Sequence, residues 1–283
     1  MRFGVHVSIG KGLPRAVQAA KDLGCDAFQI FSGNPRGWQK KPLAAEDVAL
    51  FRQKVLDYGL GPVVVHLSYL PNPAAEEDEL YAKSIKAITE EYQRAVTIDA
   101  DYFVVHPGKA GKQDRETALD KVARGVVKIL TQVPGRTRFL LENQAGAGTE
   151  VGGRLSQLAD ILKTIAWPER TGLCLDTCHA FAAGYDLRTQ EGIDQILMEV
   201  ESTFGLESIH LLHLNDALGE LGSKLDRHTH IGQGKIGLAG FGLFLTDPRL
   251  TSLTGILETP QKKPEDDLKN LAVVRRLAAG GER

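Results

Sequence analysis

Short apolar runs alternate along this chain with longer stretches whose apolar positions recur at helical spacing. The runs fall near residues 2–8, 26–31, 62–66, 101–106, 137–142, 171–176, 208–214 and 254–258. Most are β-branched or aliphatic throughout, as expected where both faces of a strand are covered. The stretches between them, near 12–23, 44–58, 76–98, 114–132, 155–166, 189–204 and 264–278, read as amphipathic helices. Punctuation agrees with the pattern. Gly24 and Gly59 follow helical stretches, where a left-handed cap favours glycine. Pro14 falls in a first turn, where a missing N–H costs little, and Asp114 to Glu116 place acids at a helix start. Eight βα-like units predict an α/β fold, a (β/α)8 TIM barrel forming one domain over residues 1–283. The seventh unit is the weakest. Its strand is followed by a Gly-rich, charged segment, 215–240, read as a functional loop rather than a helix.

Six of the runs close on a side chain able to bind a metal: His66, His106, Glu142, Asp176, His213 and Glu258. A single strand-ending histidine is usually a hydrogen-bonded structural residue. Six at matching topological positions favour ligands gathered at one barrel rim, where such folds carry their chemistry. Asp176-Thr-Cys-His179 adds a histidine, and Asp226-Arg-His228 adds two groups that an extended backbone aims the same way. The candidates are then five histidines and four carboxylates. That mixture suits zinc, with manganese or iron as substitutes, and is too rich in nitrogen for magnesium. His6 ends the first strand and reads as a core histidine or as one that orients a ligand. His210 is expected to face away from the site, and His230 to be solvated or a spare ligand.

Composition narrows the partners. With 42% hydrophobic and 25% charged residues the chain can bury a large core, and its formal net charge is -2. No Lys/Arg block marks a nucleic-acid binder, so affinity for DNA requires a local patch. No apolar run approaches the roughly 18 residues of a membrane span, and the first residues enter a strand without a signal-peptide layout. Three cysteines, Cys25, Cys174 and Cys178, argue against a disulfide scaffold and for a reducing cytoplasm. Cys174 and Cys178 read as small buried hydrophobes, with a place in the metal site as the alternative.

Three stretches then carry a family resemblance: LLENQAGAGTEVG at 140–152, GLCLDTCHAFAAGYD at 172–186 and HLNDALGELGSKLDRHTHIGQGKIG at 213–237. Similarity extends from GVHVSIGKGL at 4–13 to ILETP at 256–260. The chain resembles endonuclease IV, the zinc-dependent apurinic/apyrimidinic (AP) endonucleases of base excision repair. The resemblance implies three zinc ions. His66, His106 and Glu142 would hold one. Glu142 would bridge to a second, completed by Asp176, His213 and Glu258. His179, Asp226 and His228 would hold the third. It also implies DNA contacts on rim loops, with Arg36 filling the gap in the base stack and Tyr69 and Trp38 wedged in the minor groove. Lys11, Lys40, Lys109, Lys112 and Lys235 are further phosphate-contact candidates. Gln144, Leu67 and His230 depart from the family pattern without removing a ligand. Gly232 to Gly237 lacks the layout of a phosphate-binding loop and is expected to position Asp226 and His228.

The implied function is hydrolysis of the phosphodiester 5′ to AP sites in duplex DNA, leaving a 3′-OH, by a metal-activated hydroxide. Glu142, Glu258 and Asp176 are the catalytic carboxylates. Blocked 3′ ends would be cleaned by the same chemistry. Clustered divalent metals lower the pKa of a shared water to roughly 7 and stabilise the leaving oxygen without a protein acid. Three zinc ions would move the formal charge from -2 to +4, so loaded protein would present a cationic mouth to DNA. A cytoplasmic monomer, associated with the nucleoid through DNA and not with membrane, is expected. Two rivals stand beside this: a sugar isomerase or epimerase using one manganese or magnesium, and a non-enzymatic binder of damaged DNA with a closed structural metal.

Overall fold

The computed structural model describes residues 1–281. Its strands are β1 (Arg2–His6), β2 (Ala27–Phe31), β3 (Val63–His66), β4 (Tyr102–Val105), β5 (Arg138–Glu142), β6 (Thr171–Asp176), β7 (Ile209–His213), β8 (Asp216–Ala217), β9 (His228–Thr229) and β10 (Thr254–Leu257). Its α-helices are α1 (Leu13–Asp22), α2 (Ala45–Tyr58), α3 (Asp78–Thr97), α4 (Arg115–Gln132), α5 (Leu155–Ile165), α6 (Thr177–Ala183), α7 (Gln190–Phe204), α8 (Gly237–Thr246) and α9 (Asp266–Ala278). Eight strands close into a parallel barrel in the order β1-β10-β7-β6-β5-β4-β3-β2, while β8 and β9 pair as a separate antiparallel ribbon. The expected (β/α)8 architecture is therefore present. The helix signals also hold: Gly24 and Gly59 have φ of 69° and 62°, Pro14 lies in the first turn of α1, and Asp114 caps α4 through Thr117 N at 2.8 Å.

Alternation along the strands produces two cores. Outward residues such as Phe28, Val65, Phe103, Phe139 and Leu175 pack against the helices. Inward, Ala27, Val64, Val104, Leu140, Cys174, Leu211 and Ile256 form a buried ring inside the barrel. Because strand side chains repeat every second residue, two steps beyond that ring come Gln29, His66, His106, Glu142, Asp176, His213 and Glu258. The ring thus sets the height of the candidate ligands. On β1 the position two before His6 is Gly4. A Cβ there would lie 1.9 Å from the Ala27 carbonyl oxygen, so only glycine lets β1 and β2 approach.

Two helices escape the sequence pattern. α6 is buried in all but its last residue, Ala183, and so has no exposed polar face to reveal it. α8 is apolar all round and carries Gly237, Gly240 and Gly242, which weaken helix propensity. Gly240 is there for packing: a Cβ would lie 2.9 Å from the Leu187 carbonyl oxygen. No helix among the described residues is long and apolar enough to cross a membrane.

Candidate metal centre

Glu142, at the end of β5, is fully buried and is the hub of the rim. His66 Nε2 and His106 Nε2 approach its Oε2 at 3.1 and 3.2 Å. His213 Nδ1 and His179 Nδ1 approach its Oε1 at 3.0 and 3.2 Å. His213 Nδ1 also lies 3.4 Å from Glu258 Oε2. Glu142, Asp176, His213 and Glu258 form one group of converging ligand atoms; His179, Asp226 and His228 form another. All nine predicted side chains meet at this rim. They group partly otherwise than the resemblance implies, since His66 also clusters with Glu142 and His213, and His106 with Glu142 and His179.

Local structure explains the positions that lie off the strands. Asp176 ends β6 and also caps α6, accepting from His179 N at 2.7 Å. That turn brings the His179 ring over the rim, with its Nε2 3.2 Å from Asp226 Oδ1. His228 opens β9 opposite Ala217, and its Nε2 lies 3.4 Å from Asp226 Oδ1. The Gly232–Gly237 loop is wrapped around a buried carboxylate. Asp216 accepts from the backbone N–H groups of Gly232, Gly234 and Ile236 at 2.9, 3.0 and 3.0 Å. Those donors are committed to the protein's own anion, so the loop braces the ribbon and does not cradle phosphate.

The ring nitrogens sort into an anchored and an offered set. His66 Nδ1 pairs with the Leu67 carbonyl at 2.7 Å, and His179 Nδ1 with the Asn143 carbonyl at 2.9 Å. His213 Nε2 pairs with Gln29 Oε1 at 2.8 Å, and His228 Nδ1 with the Glu258 carbonyl at 3.3 Å. A nitrogen that donates to an acceptor fixes the tautomer and leaves the opposite lone pair free for a cation. Glu142 Oε1, His213 Nδ1 and His228 Nε2 are buried with no hydrogen-bond partner. Unpaired buried groups of this kind, all ligand types aimed at one another, fit bound divalent metal.

The electrostatics agree. Burial alone would raise the Glu142 carboxyl, but His213, His106 and His179 outweigh it and hold it well below the usual range. Burial likewise opposes charge on His228, yet Asp226, Asp176 and Glu258 raise it to about 9. For Glu258, burial is overcome chiefly by His213, leaving a value of about 2. The rim is an anionic environment that demands positive charge. Cys174 belongs to the inner ring, and Cys178 lies within ligand range of Asp176 and His228. Burial pushes both thiols up to about 12, which keeps them neutral, small and apolar.

Sequence reasoning missed the residues that aim the ligands. Gln29, fully buried on β2, donates to Glu258 Oε1 at 2.6 Å and to His6 Nδ1 at 3.0 Å while holding His213. Asn215 donates to Asp176 Oδ2 at 2.7 Å and accepts from Glu258 N at 2.9 Å. Asn143 accepts from Asp176 N at 2.7 Å. The available signal was register: Gln29 is a lone amide in an apolar strand, at the step where the other strands place ligands. His6 therefore orients the site through Gln29. His230 faces Asn270 of α9, at 3.0 Å, rather than the rim. Gln144 accepts from Gly108 N at 2.9 Å, and Leu67 is core.

A cavity of about 320 Å³ opens above the rim, lined by His6, Phe31, Tyr69, Asp226, Glu258 and Gln261 among others. Tyr69 is 69% exposed and rests edge-on against Phe31 at 5.2 Å; Arg36 is exposed on the neighbouring loop. Trp38 is not brought to this mouth. It is half-buried against α3, with Lys83 Nζ 4.2 Å from its ring centroid. Lys40 corrects its expectation as a phosphate contact, because its side chain is buried against Glu91. Lys235 pairs with Glu220 and Lys109 lies near Glu150, while Lys11 and Lys112 are exposed.

Residues 17–277 match the family model described as a xylose isomerase-like TIM barrel. The chain is 46% identical over 281 residues to a protein named "Probable endonuclease 4" from Methanosphaerula palustris, covering 98% of each. It is 43% identical over 283 residues to one of the same name from Chloroflexus aurantiacus, covering 99% of each. The solved endonuclease IV of Thermus thermophilus superposes with a TM-score of 0.89 at 39% identity, over 99% of this chain and 100% of that one. A D-tagatose 3-epimerase-like protein shares the fold alone, at 19% identity and a TM-score of 0.73 over 99% of this chain and 97% of that one. With full-length relatives at this identity, the chain belongs to the endonuclease IV family of metal-dependent nucleases.

Proposed function

We propose that this protein hydrolyses the phosphodiester 5′ to abasic sites in duplex DNA, leaving a 3′-OH, and that it removes blocked 3′ ends at the same site. The observation that carries this is the set of nine side chains converging at the rim, with orphaned buried ligand atoms at its centre. In this reading His66, His106 and Glu142 hold one zinc, Glu142, Asp176, His213 and Glu258 a second, and His179, Asp226 and His228 a third. Zinc bound there would supply the positive charge that acidifies water and neutralises a phosphodiester and its leaving oxygen. Manganese or iron would substitute in the same donor set.

The protein's own part is positioning. Gln29 and Asn215 hold His213, Asp176 and Glu258 at fixed rotation, so the site does not reorganise as charge develops. Glu142, Asp176 and Glu258 carry the negative charge that keeps cations at the reacting centre. The open mouth admits a sugar-phosphate freed from the stack; an abasic nucleotide costs little to unstack. Tyr69 is the wedge beside the lesion, Arg36 occupies the gap, and Trp38 braces the outer edge of the Arg36 loop.

The test is incubation of purified protein with duplex DNA carrying one abasic site, with metal analysis of the same sample. A nick 5′ to the lesion with a 3′-OH, and about three zinc per chain, are expected. One manganese per chain with no nicking would favour a sugar epimerase. The open cavity above the ligands speaks against a closed structural metal in a mere damage binder.

A further inference from the structure

Lys40 has the sequence context of a solvated loop lysine, yet its side chain is only 4% exposed. Its ammonium donates to the carbonyls of Asn34 and Gly37 at 2.8 and 2.7 Å and to Ser68 Oγ at 3.2 Å. It also lies 3.3 Å from Glu91 Oε1 on α3, a carboxylate whose side chain is 2% exposed. Glu91 in turn accepts from the Ser68 hydroxyl and, at 3.3 Å, from Ser68 N. Beside this cluster Tyr69 N donates to the Pro35 carbonyl at 3.2 Å. An ammonium has three protons, and four acceptors surround this one, which leaves none for phosphate. The acceptors belong to three segments: the Arg36 loop, the Tyr69 loop and α3.

A buried ion pair contributes little net stability, because desolvation offsets attraction; its attested use is to fix register. We propose that Lys40, Glu91 and Ser68 form a clasp that presets the spacing between the loop carrying Arg36 and the loop carrying Tyr69, so that both engage an abasic duplex at once. The clasp rests on the reading of Arg36 and Tyr69 as DNA contacts. Lys40 and Glu91 are positioning residues in this scheme. A preset spacing spares the ordering of two loops on binding, so its loss raises KM for duplex and leaves the chemical step alone.

The experiment uses zinc-loaded protein and the double exchange Lys40→Met with Glu91→Gln, which leaves no lone charge buried. KM and kcat are measured on an abasic duplex and on bis(4-nitrophenyl) phosphate, a small diester that needs only the rim. A rise of about tenfold in duplex KM is expected, with duplex kcat, small-diester turnover and zinc content unchanged. An unchanged duplex KM overturns the clasp. Arg36→Ala and Tyr69→Ala run alongside. If they raise KM and the double exchange does not, the clasp alone fails; if they too leave KM unchanged, the contact reading falls and the clasp with it. Should the double variant not fold, hydrogen exchange on the wild type and on Ser68→Ala decides. The Gly37 and Tyr69 amides are expected to be protected together and released together by Ser68→Ala; independent rates overturn the proposal.

Discussion

His213 and His210 sit three residues apart on β7 and live in opposite worlds. His213 is fully buried at the C-terminal rim, one nitrogen held by Gln29 and the other aimed at Glu142 and Glu258. Burial works against its charge, but the Glu142 and Glu258 carboxylates raise it well above the usual histidine range. His210 lies at the other end of the barrel, where a register shift between β6 and β7 stacks it against Tyr102 at 6.1 Å. There burial, reinforced by Arg138, lowers it to about 4. Its neighbours at that end include Arg2, Arg52 and Arg136. One residue type is turned into an acceptor of positive charge at the rim and a neutral ring at the base. The inner ring of apolar side chains insulates the two.

The largest effect should come from removing the hub of the rim. Glu142→Ala is expected to lower abasic-site cleavage by on the order of 10³-fold or more, with loss of bound metal, and Glu258→Gln to follow it. His210→Phe should stay within about twofold of wild type. Comparable losses at both ends, in nicking assays with metal analysis, would erase the contrast. Next comes metal removal. Metal-free protein should bind abasic duplex on the order of tenfold or more weakly and with a shallower salt dependence, because the cationic mouth is lost; equal affinity by fluorescence anisotropy would contradict this. Gln29→Leu should follow, costing about 10–100-fold in zinc affinity measured by chelator competition, although Gln29 touches no metal itself.

The smallest effects are in pH dependence, and their signs differ between the two ends. His228 is raised to about 9, so in metal-free protein its pairing with Asp226 contributes fully below about pH 6.5 and fades as pH rises through about 9. On the proposed assignment zinc would have to displace that proton, so zinc affinity is expected to rise over the same interval, as titration of the metal at several pH values would show. His210 is lowered to about 4, so the unfolded chain binds its proton first and stability falls as pH drops from about 6.5 towards 4. Denaturant titrations of wild type and His210→Phe between pH 4.5 and 6.5 should show the shallower slope in the variant. Equal slopes would remove His210 from the account.

The ligand ring was legible because it obeys a simple rule: apolar strands with a period of two, ending at one height. What the rule could not show was anything set by distant parts of the chain. Gln29 reads as an isolated amide until β2 is placed beside β1 and β10 is closed around it. Lys40 reads as a solvated rim lysine, because Glu91 reaches it only when α3 packs behind the loops. α8 escaped for a different reason. Its glycines serve close packing, and to a propensity argument they look like a loop.

The apolar ring two steps below the ligands has a consequence for folding fidelity. In a strand, a slip of one residue turns every side chain to the opposite face. A misregistered barrel would therefore bury its histidines and carboxylates among the helices and present valine and leucine to the mouth. A cation that needs several strand ends at once can bind only the correct closure, and by mass action it stabilises that closure alone. A metal held as proposed would then act as a proofreader of the barrel around it.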